Sequence, residues 1–200
     1  MRSKELTSEI KVRSYNVNQG TNGTALGVVS VKVRNIQGRF VTARALVDEG
    51  SGTSFASRAF VRRLGFTGDM RKLKIVGVSR ESKEEAEQQS LTIRTGNNQD
   101  HIVNVWSLSK LCEKANPMDW SRVQARYRHL EGLPLETPPG PIDLLNGMDH
   151  PELLVPSEIR RGEANEPYAL KKRIGMGSTR KSQRRDSSSL SICDACEAKE

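Results

Sequence analysis

Long apolar runs are missing from this chain. No stretch approaches the ~20 apolar residues needed to cross a bilayer. The opening MRSKELTSEIKV has no apolar core of the kind a secretory signal carries. No membrane association is expected, and the expected compartment is the cytoplasm rather than a secretory route. Cysteine is scarce, with Cys112, Cys193 and Cys196 the only three in 200 residues. An odd, scattered trio makes no disulfide framework, which suits a reducing compartment. Cys193 and Cys196 form a lone C-x-x-C. Zinc takes four ligands, and Cys112, His101, His129 and His150 lie far from that pair in the sequence, so no metal is expected. Phosphate-binding glycine motifs are absent too: Gly20, Gly23 and Gly27 make neither a phosphate loop nor a dinucleotide fingerprint, and no cofactor is expected. Without Gly-x-Ser-x-Gly, nothing marks a serine nucleophile.

Positive charge is present in excess. The net charge is +8, against an apolar content of 35%. Such a balance favours weak association with anionic partners, and the low apolar content implies that part of the chain is poorly ordered. The run that begins at Lys171 and ends at Arg185 has seven basic residues and no acid, and Ser187, Ser188 and Ser189 follow. It reads as a solvated basic tail. Its functional alternative is a weak nucleic-acid contact, although no aromatic residues interleave with the charges.

Between the termini the pattern is that of strands. Residues 1–23 are polar and loop-like, with Ile10 and Val12 able to supply a first strand. Val29, Val31 and Val33 alternate with Ser30, Lys32 and Arg34, a strand signal. Asn35-Ile36-Gln37-Gly38 reads as a hairpin turn into a second strand over 40–47. Residues 73–78 form the next strand, the polar run 79–89 a projecting tip, and Leu91 and Ile93 the returning strand. Another strand is expected over 102–108. A helix is expected over 119–130, with Trp120, Val123, Tyr127 and Leu130 on one face. The proline-rich stretch 134–141 reads as a connector into the short apolar run Ile142-Asp143-Leu144-Leu145 before Gly147.

The most informative stretch is 41–65. Val41, Ala43, Ala45 and Val47 alternate into Asp48, which is followed by Glu49, Gly50, Ser51 and Gly52. A short helical pattern, 57–64, then closes at Gly65. Asp-Glu-Gly-Ser has an ordinary reading, because these residues dominate turns. It also has a chemical one. A carboxylate at the end of a buried strand is costly to ionise unless hydrogen bonds compensate, and glycine lets backbone N–H groups approach it.

Ala45-Leu46-Val47-Asp48-Glu49-Gly50-Ser51, then Ser54-Phe55, then Arg63-Leu64-Gly65-Phe66 resembles the aspartic protease segment of BEL/Pao-type retrotransposon polyproteins. Later pieces are similar to that family in the same order. They are Asp119-Trp120-Ser121 with Tyr127, His129 and Leu130; Ile142-Asp143-Leu144-Leu145-Asn146-Gly147-Met148-Asp149; and Ile159-Arg160-Arg161-Gly162, Glu166-Pro167 and Ile174-Gly175. The resemblance implies a mainly β, retropepsin-like closed barrel with a long flap hairpin and one or two short helices. The domain would span 24–155, with a tail or first strand over 1–23 and a basic, low-complexity tail over 156–200.

It also implies a function, proteolysis of a polypeptide substrate by a homodimer. Aspartic proteases need two carboxyl groups sharing a proton. This chain has one Asp-x-Gly-Ser loop, so Asp48 would be the catalytic residue and its symmetry mate the second. Gly50 and Ser51 would support the loop. Gly77 and Val78 would belong to the flap, and Leu144, Leu145 and Gly147 would pass behind the catalytic loop. Asp143 and Asp149 read as structural or exposed. Glu49 departs from the family, which has Ser or Thr there. An ionised glutamate has no hydrogen to donate, and two of them near a two-fold axis would repel. Asn146 stands where the family is usually apolar. Three readings therefore remain open: an active endopeptidase, an inactive domain serving binding or oligomerisation, and a basic nucleic-acid-associated protein.

Overall fold

A computed structural model describes residues 9–11, 27–76, 81–111, 120–135, 139–164 and 166–179. In chain order the strands are β1 (Glu9–Lys11), β2 (Val28–Arg34), β3 (Phe40–Val47), β4 (Phe55–Ser57), β5 (Met70–Val76), β6 (Glu81–Arg94), β7 (Asp100–Leu108), β8 (Leu144–Asn146), β9 (Pro156–Arg160), β10 (Tyr168–Lys172) and β11 (Gly175–Thr179). The helices are α1 (Arg58–Arg63), α2 (Trp120–Arg126) and α3 (Pro151–Leu154).

The alternating valines build the first hairpin. Val29, Val31 and Val33 are buried while Ser30 and Lys32 are exposed. The Asn35 side chain accepts hydrogen bonds from Gln37 N and Arg39 N, and Gly38 takes a positive φ of 79°. The chain then returns as β3, paired from Arg34↔Phe40 to Val28↔Leu46. Ser57 caps α1 through Oγ, which accepts from Phe60 N at 3.2 Å. Gly65 ends that turn at φ 86°, where a Cβ would also meet Ile36 at 2.6 Å.

The main sheet is mixed and largely closed on itself. The order runs β6-β2-β3-β8-β4-β7, and β7 pairs back onto β6. Val33, Ala45, Leu91, Val103 and Leu144 fill the interior, with Phe60 of α1 and Leu153 of α3 against them. β5 and then β1 extend the sheet outward from β6. A smaller cluster gathers Trp120 and Val123 of α2 with Leu130 and Leu135. The helix expected over 119–130 is α2 followed by a single 3-10 turn, Arg128–Leu130. Among the described residues no helix is long and apolar enough to cross a membrane.

Two expectations are corrected. Of the polar run 79–89 expected as a projecting tip, residues 81–89 are strand. β5 and β6 pair from Met70↔Glu87 to Val76↔Glu81, leaving only 77–80 between them. Lys72 stands opposite Glu85, and the Lys74 ammonium, opposite Lys83 in the register, lies 3.2 Å from Glu81 instead. Opposite charges across a ladder stabilise strands that carry no apolar signal. Glu87 is wholly buried. It pairs with Arg62 and accepts from Gly68 N at 2.9 Å, so it ties α1 to β6.

The second correction concerns the tail expected from residue 156. β9, β10 and β11 form a three-stranded antiparallel sheet. Ile174, in the turn between β10 and β11, joins the main core and donates from N to Leu153 O at 3.3 Å. Gly96 N donates to Arg173 O at 3.2 Å, and Ala169 packs into the smaller cluster. Two buried residues anchor this sheet, while every residue of β9 is exposed. A strand without a buried face carries no periodic apolar signal.

Candidate functional site

The parallel pairing of β3 with β8 fixes where Asp48 lies. Ala45↔Leu144, Leu46↔Leu145 and Val47↔Asn146 align the strands. On its other side β8 pairs antiparallel with β4, Phe55↔Leu145 and Ala56↔Leu144. Residues 48–54, which join β3 to β4, therefore arch over the end of β8. Asp48 N donates to Asn146 O at 3.0 Å, continuing the ladder by one residue.

The arch is braced from behind. Ser51 is fully buried. Its Oγ donates to Thr53 O at 2.7 Å, and its carbonyl accepts from Met148 N at 2.7 Å. Gly147 passes so close that a Cβ there would lie 2.6 Å from Thr53 O and 2.7 Å from Ser51 O. Gly147 N donates to Ser54 Oγ at 3.0 Å, and that hydroxyl donates to Asp149 Oδ1 at 2.6 Å. Asp149 Oδ2 also accepts from Ser54 N at 2.9 Å. Asp149 is thus a brace. So is Asp143, whose carboxylate accepts from Arg44 N and from Arg63.

The Asp48 carboxyl sits at the front of the arch. Oδ1 accepts from Gly50 N at 2.9 Å. Partial burial pushes its pKa up. The Gly50 and Ser51 amides pull it the other way, and the Glu49 carboxylate adds to the rise; the net shift is upward. Glu49 is itself engaged by Lys172 of β10, which donates from Nζ to Oε1. Asn146 is 2% exposed. Its amide nitrogen lies 3.4 Å from Gly147 O, and its Oδ1 has no hydrogen-bond partner among the described residues.

The structure thus brings Asp48, Gly50, Ser51, Leu144, Leu145 and Gly147 to one place. Gly77 and Val78 lie outside the described residues, as do the three cysteines. Of the basic run beginning at Lys171, residues 180–185 lie outside as well. Lys172 is committed to Glu49, and Lys171 lies 3.8 Å from Glu158. Sequence reasoning missed the Ser54–Asp149 bridge and Lys172. The first had a signal, the Gly-x-Asp of Gly147-Met148-Asp149. The second had none, since 123 residues separate Lys172 from Glu49.

Among the described residues no three His, Cys, Asp or Glu side chains gather as a metal would require. The arch itself presents a partly buried carboxyl, raised in pKa, that accepts from Gly50 N. Comparison with protein-family models, with curated proteins and with solved structures gave no match.

Proposed function

We propose that this chain is a retropepsin-like aspartic endopeptidase domain of a retrotransposon-type polyprotein. It would act as a homodimer in which Asp48 of each copy supplies one carboxyl. The observation that carries the reading is the arch: a partly buried Asp48 carboxyl at the end of β3, braced by Gly147 and Asp149 from behind. Asp143 and Asp149 are occupied by structural hydrogen bonds, so the second carboxyl is drawn from a second copy.

In such a pair one carboxylate takes a proton from water, and the water oxygen attacks the scissile carbonyl. The neutral partner donates its proton to the carbonyl oxygen, and the departing amine is protonated in turn. The pair must hold one proton between its members, and an upward shift at Asp48 favours that state in mild acid. On this reading the β5–β6 hairpin covers the bound peptide.

The test is cleavage of a peptide library between pH 4 and 7, with sedimentation equilibrium on the same preparation. Asp48→Asn is expected to abolish cleavage and leave the fold intact. Cleavage that survives the substitution removes the proposal. Glu49 favours a second reading, a domain of the same fold that binds without cleaving, because the residue beside Asp48 is an acid engaged within its own chain. A dimer that binds peptides and never cleaves them selects this second reading.

A further inference from the structure

The partners in the Glu49–Lys172 pair are unequally placed. The Lys172 side chain is 10% exposed and that of Glu49 is 62% exposed. A glutamate in water needs no counter-ion, and an exposed pair contributes little. Lys172 is the more covered partner: its stem is packed along the protein and its ammonium reaches the Glu49 carboxylate. What keeps Lys172 there is its strand. The turn just beyond it places Ile174 in the main core and is bonded to Gly96 and Leu153. The lysine is thus presented to the loop by a docked element rather than recruited by the glutamate.

We propose that Lys172 is a positioning residue for the Asp48 loop, latching the C-terminal sheet to it through Glu49; its catalytic meaning rests on the peptidase reading. Among the described residues three charged groups bear on the loop, one of them Asp149, whose carboxylate accepts from Ser54 N and Oγ at its far end. Glu49 acts on Asp48 from the same loop, Lys172 faces Glu49 from β10, and β8 contributes the uncharged Asn146. Lys172 offsets the repulsion that Glu49 exerts on Asp48, and it fixes the direction in which Glu49 points. A glutamate held in this way is drawn to its own chain and away from the Asp48 carboxyl.

The experiment is a carboxyl-carbon NMR titration of Asp48 in the full chain, paired with the pH profile of peptide cleavage. Lys172→Met leaves Glu49 uncompensated and is expected to raise the Asp48 midpoint by about 0.5 pH unit or more. Lys172→Arg is expected to bring it back toward wild type. Adding Glu49→Gln to Lys172→Met is expected to lower it again, and in the Glu49→Gln background Lys172→Met is expected to leave the midpoint unmoved, which a lysine acting on Asp48 other than through Glu49 would not predict. A folded Lys172→Met chain with an unmoved midpoint overturns the proposal. If that variant does not fold, Glu49→Gln alone decides. Loss of the ion pair is expected to speed hydrogen exchange at the Gly50 and Ser51 amides about tenfold, and unchanged protection overturns the latch. The two proposals fail separately. A wild-type chain that cleaves nothing sinks the peptidase reading while the titration still judges the latch. Cleavage with the same pH profile in Lys172→Met sinks the latch alone.

Discussion

Asp48 holds its proton more tightly in the folded chain than in the unfolded one, because partial burial raises its pKa. The stability this contributes is complete below the unfolded value, about 3.9, and is lost as pH rises through the folded value. Asp48→Asn keeps an acceptor for Gly50 N and has no charge to bury. It is expected to melt at a higher temperature than wild type at pH 7, and the gap should close as the pH falls toward about 4. Calorimetry from pH 3.5 to 7.5 measures it, and a gap independent of pH would rule out burial as the cause. Gly147 is tested by size instead of charge. Gly147→Ala sets a methyl group against the backbone carbonyls of Ser51 and Thr53. The expected loss is about 1–3 kcal/mol or more, read from urea unfolding, because neither carbonyl can swing aside as a flexible side chain would. An unchanged midpoint would mean that the arch is slack.

Among the elements, β8 carries the greatest consequence for its length. Its three residues lie between β3 and β4, and one of them, Asn146, buries an oxygen with no hydrogen-bond partner among the described residues. Asn146→Val removes that acceptor, keeps the backbone bond to Asp48 and suits a strand better. It is expected to stabilise the chain by about 1 kcal/mol in chemical denaturation. A destabilisation of that size would mean that the amide makes a bond the geometry does not reveal.

The elements also differ in how far their sequences disclosed them. β2 was legible because one face is buried and the alternation follows, whereas β3 and β7 showed through their apolar residues although both faces are buried over 43–46 and 105–108. α1 was legible from its cap and from Gly65. The outer half of β6 was not, because Glu81, Ser82, Lys83 and Glu84 carry no apolar alternation and are held in the ladder by pairing with β5. β9 was not legible either, since it buries nothing. At the site, Asp48 and Gly147 were readable from their neighbours in sequence. Lys172 was hidden because an ion pair across 123 residues leaves no local pattern.

At the scale of the molecule, the sheet of β9, β10 and β11 is a structural part of the body. It supplies Ile174 to the main core, Ala169 to the smaller cluster and Lys172 to the loop. A chain ending at Val155 would uncover Leu153 and leave Glu49 without its lysine. It is expected to unfold at least several degrees below the full chain, with greater dye binding by exposed apolar surface. An unchanged melting temperature would return these residues to the status of a tail. Ring closure through the β6–β7 pairing was beyond local reading altogether. Alternation announces strands, but which strand neighbours which is decided by contacts far apart in the chain.

The place of β8 sets an order in time. β3 and β4 leave between them a gap that residues 144–146 fill, and the contact spans about a hundred residues of chain. A nascent chain therefore displays Asp48 long before it can brace it. Closing a loop of that length costs more entropy than closing the β2–β3 hairpin, so the Gly50 and Ser51 amides are expected to gain protection later in refolding than those of β2, which pulse-labelled hydrogen exchange measures. Until then the carboxyl rides on a loose turn open to water, with an ordinary acidity. On that order, whatever Asp48 does begins only once residues 144–146 have closed the gap beside β3.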